Sequence, residues 1–116
     1  MQGCIIPTNL FTNLPDRDSA QRVAQSLIEN HAAACVNILA ECSSVYRWEG
    51  KVENAIEIPL LIKTTRSAYA RVEELIQLHH PYELPEIIAV SVAAGLPAYL
   101  QWVAQEVTSK NHATKE

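Results

Sequence analysis

The sequence has 116 residues, of which 48% are apolar, so one compact domain with a hydrophobic core is expected. The net charge of −4 argues against a nucleic-acid-binding protein, because such proteins normally present a basic face. The nine lysines and arginines are scattered singly, and no apolar run approaches the roughly 20 residues that span a bilayer. Neither nucleic acid nor a membrane is therefore expected as a partner.

Three cysteines, Cys4, Cys35 and Cys42, form an odd set without a CxxC pair. Free thiols in a reducing cytosol are the simplest interpretation. The first residues also lack the basic and long apolar regions of a signal peptide. These features favour a cytoplasmic protein.

The first third of the chain predicts a strand followed by an amphipathic helix. Residues 4–13 are mostly apolar or β-tolerant, and Asp16 is placed to cap the helix that follows Pro15. The helix carries one apolar stripe, formed by Ala20, Val23, Ala24, Leu27 and Ile28. Asn30 and His31 close it, and Asn tolerates the left-handed conformation common after a helix end.

A long hairpin is expected next. Residues 32–48 favour a long or interrupted strand, and Glu49-Gly50-Lys51 is a plausible turn in which Gly50 supplies a positive φ. The return strand alternates, with one face formed by Val52, Asn54, Ile56, Ile58, Leu60 and Ile62. Pro59 cannot donate to a ladder, so this strand should be exposed or bulged there.

The last part predicts a helix, a strand and a third helix. Ser67 opens the helix and Pro81 stops it; its inner face is formed by Tyr69, Val72, Leu75, Ile76 and His79. A short apolar strand follows at 87–92, and another helix follows Gly95. We expect a single domain over residues 1–108 and a polar tail over residues 109–116.

The element order predicts an α+β fold. It is a ferredoxin-like βαββαβ sandwich with a long central hairpin and an extra C-terminal helix. The hairpin strands have about 15 residues, against a usual 5 or 6 in globular proteins. Such strands must project beyond their own sheet, so a neighbouring subunit is expected to pair with them.

Five motifs in this order resemble the CutA family, named for divalent-cation tolerance, over about residues 10–107. They are AAACVNI (32–38), SVYRWEGKVE (44–53), LLIKTT (60–65), HPYELPEI (80–87) and GLPAYLQW (95–102). The resemblance implies a ferredoxin-like protomer in a tight homotrimer that pairs strands across subunits. It also implies an association with copper and other divalent cations, and no established catalytic reaction.

The same resemblance implies candidate metal ligands. Relatives use a thiol and a histidine at the positions of Cys35 and His79 as suggested copper ligands. Some members also carry a cysteine in the first strand, where this sequence has Thr12. Thr12 therefore departs from a three-ligand pattern.

From the residues themselves, the two histidines allow two interpretations. A neutral imidazole and a thiolate suit copper or zinc, which favours Cys35 and His79, with His80 as a less apt third ligand. His80 follows the helix end, where carbonyls without partners favour the protonated ring, and protonation competes with metal. The alternative is a structural histidine and a buried cysteine that packs as a small hydrophobe.

The hairpin and the turn after the second helix suggest a second kind of site. The first interpretation of the aromatic residues is that they anchor the subunit contact. The sharper alternative is a cleft between subunits lined by Tyr46, Trp48, Lys63 and Glu86, in which Lys63 pairs with Glu86 or with a small acidic ligand. Residues 81–86 are expected to form a rigid extended turn because two prolines restrict it.

The leading functional interpretation is a homotrimeric protein of divalent-metal tolerance that binds copper or a related ion, and not an enzyme. A trimeric small-molecule sensor that resembles the PII-type regulators, or an interaction scaffold, is the alternative. A catalytic use of Glu83 or Glu86 lacks a second catalytic group beside it.

Overall fold

The computed structural model of the chain describes residues 6–107. Its elements, in chain order, are β1 (Pro7–Leu14), α1 (Arg17–Glu29), β2 (Cys35–Ile38), β3 (Cys42–Trp48), β4 (Lys51–Thr65), a 3₁₀ turn (Arg66–Ala68), α2 (Tyr69–His79), β5 (Ile88–Ser91) and α3 (Pro97–Glu106). Cys4 and the predicted polar tail lie outside the described residues. No helix in the described stretch is long and apolar enough to cross a bilayer.

The strands form an antiparallel sheet in the order β2-β4-β1-β5, and β3 pairs with the first half of β4. The mixed α/β class with an antiparallel sheet, expected from the sequence, is confirmed. The return strand of the hairpin is one continuous element of 15 residues, while its partner is interrupted into β2 and β3. The second half of β4 pairs with β1 on one side and β2 on the other.

The core lies between one face of the sheet and helices α1 and α2. Every second residue of β1 and of the second half of β4 is buried, and the register sets Leu10 opposite Ile62 so that both point into the core. The predicted stripe of α1 is buried except for Ile28, which is exposed. Val72 and Ile76 are the buried residues of α2. The buried alternating residues of the strands and the apolar stripes of the helices thus pack together in one apolar cluster.

The residues between these buried positions point to the other face of the sheet. Register places Phe11 opposite Leu61 and Ile88 there, and Asn9 opposite Lys63 and Val90. Ile88 and Val90 are 51% and 52% exposed, so the described chain leaves much apolar surface of β5 in contact with water.

The ends of α1 follow the sequence with one correction. Asp16 caps the helix as predicted, because its carboxylate accepts from the N–H of Ser19 at 2.8 Å. This bond lowers the pKa of Asp16. At the other end His31, and not Asn30, takes the left-handed conformation, with φ of 55°. The helix continues through Asn30, whose N–H still bonds to the carbonyl of Ser26, so the left-handed residue comes one position later.

The turn of the hairpin contains two residues with positive φ, Glu49 at 50° and Gly50 at 82°. Gly50 was expected there, and this prediction is confirmed. Two such residues between Trp48 and Lys51, which face each other in the ladder, make a type I′ turn. The second helix also differs slightly from its prediction, since a 3₁₀ turn takes residues 66–68 and the α-helix begins at Tyr69.

Two threonines on the core face differ in their hydrogen bonding. Thr12 and Thr64 are each 1% exposed. The hydroxyl of Thr64 donates to the carbonyl of Ala32 at 2.6 Å, whereas the hydroxyl of Thr12 has no partner within the described part of the chain. A buried hydroxyl without a partner costs free energy, because it has lost its hydrogen bonds to water.

Replacing Thr12 with Val should therefore raise the free energy of unfolding by about 1 kcal/mol, since the methyl group keeps the shape and removes the unpaired hydroxyl. The matched control, Thr64→Val, should lower it by about 1–3 kcal/mol, because the carbonyl of Ala32 loses its donor. Denaturant unfolding at one fixed protein concentration measures both. Equal losses in the two variants would contradict this account of Thr12.

Candidate functional site

A cavity of about 680 Å³ lies at the base of the hairpin, beside the end of β1 and the segment that follows α2. It is lined by Asn13, Ser44, Val45, Tyr46, Trp48, Glu57, Pro81, Tyr82, Glu83, Leu84 and Glu86. Its volume falls in the range of about 300–1,000 Å³ that is typical of small-molecule sites.

One wall of this cavity is formed by side chains that point to one face of the hairpin. Ser44, Tyr46 and Trp48 are every second residue of β3, so they share one face. Glu57 shares this face too, because the register sets it opposite Cys42. The wall is therefore both aromatic and acidic.

Glu57 is the buried carboxylate of the cavity, at 8% exposed. It accepts one hydrogen bond from the Ser44 hydroxyl at 2.6 Å and another from the Tyr82 hydroxyl at 3.0 Å. Burial, followed by the bond to Glu57, raises the pKa of Tyr82 to about 12. Tyr82 thus stays a hydroxyl donor throughout the physiological range.

His80 supports the turn that carries Tyr82. One ring nitrogen, Nε2, lies 2.7 Å from the carbonyl oxygen of Asn13, and the other, Nδ1, accepts from the backbone N–H of Tyr82 at 3.1 Å. Since a carbonyl can only accept, Nε2 carries the proton and the ring is neutral. The imidazole also packs against the Tyr82 ring, with 4.8 Å between centroids.

This geometry corrects the expectation that the helix end favours a protonated His80. The ring is buried at 8% exposed, and burial lowers its pKa from the usual value. The bond to Asn13 and the charge of Glu57 oppose this shift but do not cancel it. Both ring nitrogens are engaged within the chain, so His80 has no free lone pair to offer a metal ion.

Three of the four residues predicted for a cleft, Tyr46, Trp48 and Glu86, line this cavity. Lys63 does not, because it lies in the middle of the sheet, opposite Cys35 on one side and Asn9 on the other. The partner of Glu86 is the side-chain amide of Asn13, which donates to it at 3.1 Å. Within the protomer, Glu86 is thus bonded to a neutral donor, and Lys63 lies elsewhere in the sheet.

Sequence reasoning missed Asn13, Ser44 and Glu57 as lining residues and described the segment that contains Tyr82 only as a rigid turn. One signal was available for Glu57: it is a carboxylate within the run from Ala55 to Ile62 that is otherwise apolar. A charge in such a run often marks a paired or functional position. The contribution of Asn13 depends on the loop geometry and has no comparable signal.

The structure places the predicted metal ligands Cys35 and His79 apart. Cys35 pairs with Lys63, whose neighbours Ile62 and Thr64 point into the core, so its thiol lies on the face away from α1 and α2. His79 lies in the helical layer, where it lines a shallow depression formed mainly by α1. A single protomer therefore does not bring the thiol and this imidazole to one ion.

Thr12 also lies on the core face, opposite Leu60. A cysteine at this position would point away from Cys35. Among residues 6–107 no group of three or more His, Cys, Asp or Glu side chains is arranged to hold a metal ion.

The family model for the CutA1 divalent ion tolerance protein matches residues 8–106. This match covers nearly all of the described chain. The chain belongs to the CutA family. The resemblance seen in the five sequence motifs is thereby confirmed.

Relatives of the CutA chain are similar over most of its length. It is 40% identical over 96 residues to the divalent-cation tolerance protein CutA of Thermus thermophilus, covering 83% of this chain and 93% of that protein. It is 37% identical over 103 residues to protein CutA of Mus musculus, covering 89% of this chain but only 58% of the mouse protein. The crystal structure of CutA from Xylella fastidiosa matches with a TM-score of 0.86 and 41% identity, covering 88% of this chain and 98% of that one.

The neutral state of His80 predicts a pH dependence of stability. Because burial lowers its pKa in the folded protein, the unfolded chain takes up this proton first as the pH falls. Stability is full above the unfolded value of about 6.5 and declines as the pH falls from there toward the folded pKa. Thermal unfolding at pH 7.5 and at pH 5.5 should show the loss, and it should be smaller in His80→Gln. His31→Gln is the control, and an equal loss in both variants would contradict this role of His80.

Proposed function

We propose that this CutA protein acts in divalent-cation tolerance as a homotrimer, and that copper or a related divalent ion binds where its protomers meet. The observation that carries this proposal is the large apolar surface that the described chain leaves uncovered on its hairpin and on β5. The relatives' names refer to tolerance of divalent cations and to no catalysed reaction, so we propose a binding function and not an enzyme.

The shape of the protomer supports an assembly. Its radius of gyration is 15.1 Å, against about 13 Å for a compact domain of this length. The excess comes from the projecting hairpin, where Val45, Val52 and Ile56 are 67%, 63% and 55% exposed. Isolated two-stranded ribbons are marginally stable in water, so a partner that covers these side chains would stabilise the hairpin.

The strand order supports a ferredoxin-like protomer. If β2 and β3 are taken as one interrupted strand, the sheet has four strands with the first at an inner position, and α1 and α2 cover one face. The uncovered apolar residues of β5 then form a surface that a second copy would cover. We propose three copies around one axis, in keeping with the length of the hairpin.

The position of Cys35 supports metal binding between protomers. Its thiol is half-buried and free, on the sheet face away from α1 and α2. A neighbouring protomer on this face would bring its own side chains next to the thiol, and His79 of that copy is the ligand we propose. His80 is the least apt of the three candidates, since both of its nitrogens are engaged. Free thiols at Cys35 and Cys42 suit a reducing compartment such as the cytoplasm.

A small-molecule sensor is the second candidate function, and the cavity at the base of the hairpin is the observation that favours it. Its volume, its aromatic wall and its few buried polar groups are those of a ligand site. The two functions are compatible, because Cys35 and His79 do not line this cavity.

The assembly can be tested by placing a charge on the exposed apolar face of the hairpin. Size-exclusion chromatography with light scattering should give three times the chain mass of 12.9 kDa for the wild type. Ile56→Glu should shift the protein to monomers at micromolar concentration, because it would bury an unpaired charge in the contact. Glu74→Gln, on the exposed surface of α2, is the control. A monomeric wild type would refute the trimer.

The metal proposal can be tested by calorimetric titration of copper(I), copper(II) and zinc under matched conditions. Cys35→Ala and His79→Ala should each weaken binding by at least about tenfold, as loss of a ligand does. Cys42→Ala and His31→Ala are the matched controls for a thiol and an imidazole elsewhere. Unchanged binding in both test variants would remove these residues as ligands, and no binding to the wild type would remove the metal proposal.

A further inference from the structure

The charge of the cavity at the base of the hairpin points to a class of ligand. Three glutamates line it, Glu57, Glu83 and Glu86, and none of its lining residues within the described chain is Lys or Arg. Asp16 lies near enough to contribute to the raised pKa of Tyr82, so it adds a further negative charge nearby. An anion entering this cavity would meet repulsion, whereas a cation would be attracted.

Among residues 6–107, Glu57 has no cationic side chain as a partner, although a buried carboxylate normally has one. Carboxylates are rarely buried to this extent unless they are paired with a cation. Its two donors, Ser44 and Tyr82, are both neutral hydroxyls, and an ionised carboxylate has about four acceptor positions. Acceptor capacity for a cation therefore remains at the buried end of the cavity.

The aromatic wall distinguishes an organic cation from a metal ion. Tyr46 and Trp48 line the cavity and remain 44% and 42% exposed, which is a large aromatic surface beside the carboxylates. Aromatic faces attract ammonium groups through their quadrupole, and Trp does so best. The carboxylates, by contrast, are not arranged as a group of three that would hold a metal ion.

We propose that this cavity binds a small organic cation that carries an alkylammonium group, with Tyr46 and Trp48 against its alkyl surface and Glu57, Glu83 and Glu86 as its counter-charges. This proposal deepens the sensor function by naming its ligand class. It depends on neither copper nor Cys35. It also replaces the small acidic ligand expected from the sequence, because that expectation relied on Lys63, which lies elsewhere.

The test uses three probes of nearly one shape and different charge. They are choline, the neutral 3,3-dimethyl-1-butanol and the anionic 3,3-dimethylbutyrate. The chain has two tryptophans, so Trp102→Phe leaves Trp48 as the only tryptophan and makes its fluorescence a reporter of the cavity. Choline should change this fluorescence saturably, the alcohol should bind at least about tenfold more weakly, and the anion should bind more weakly still.

Two variants in the same background locate the site. Glu83→Gln removes a charge from an exposed lining residue, and Tyr46→Leu removes an aromatic face; each should weaken choline binding at least about fivefold. Their matched controls are Glu74→Gln, which lies outside the cavity, and Tyr46→Phe, which keeps the aromatic face. Light scattering on every variant establishes that the assembly is unchanged.

Equal or tighter binding of the alcohol or the anion would overturn the proposal, as would choline binding that is unaffected by both test variants. A basic side chain from a second copy could instead fill the cavity. In that case choline would not bind and Glu83→Gln would weaken the assembly, which also overturns the proposal. If the metal titration shows no binding, the choline proposal is unaffected, because Cys35→Ala and His79→Ala should not change choline binding.

Discussion

Strand β4 is the element on which the rest of the structure depends. Its 15 residues pair with β1, β2 and β3, so its alternation decides what every neighbouring strand presents to each face. In its second half the even-numbered residues enter the core with Leu10 and Leu14 of β1. The odd-numbered residues set the other face, where Glu57 faces the cavity and Lys63 lies beside Cys35. The pairing register of β4 therefore places the core on one face of the sheet, and the cavity and the Cys35 thiol at different positions along the other.

Much of this arrangement could be predicted from local sequence patterns. The alternation of β4, the stripe of α1, the Asp16 cap and the turn at Gly50 each depend on residues close together in the chain. Short-range backbone chemistry decides such features. The left-handed residue after α1 was misplaced by one position because the sequence offers Asn30 and His31 side by side, and only the hydrogen bonds of the last turn choose between them.

The candidate site was harder to predict because it is assembled from three separate parts of the chain. Tyr46, Trp48 and Glu86 were identified by residue type, yet their neighbour Asn13 comes from the end of β1. Lys63 lies on the same side of β4 as Glu57, since both are odd-numbered residues of this strand. Lys63 lies further along β4 than Glu57, however, so it is within the sheet and away from the cavity. The bond from Nε2 of His80 likewise depends on Asn13, which is distant in sequence, so it could not be predicted from His80 and its neighbours.

The type I′ turn at the tip of the hairpin has a further consequence for how the chain reaches its native state. The β3–β4 ladder joins residues close together in sequence, whereas the β1–β4 ladder begins with Pro7 opposite Thr65. Closing a short loop is entropically cheaper than closing a long one, and hairpins form in about 1–10 μs. The ribbon can therefore form early and offer β1 a template whose register is already set. A nascent chain would then expose the apolar side chains of Val45, Val52 and Ile56 on this ribbon before the sheet is complete.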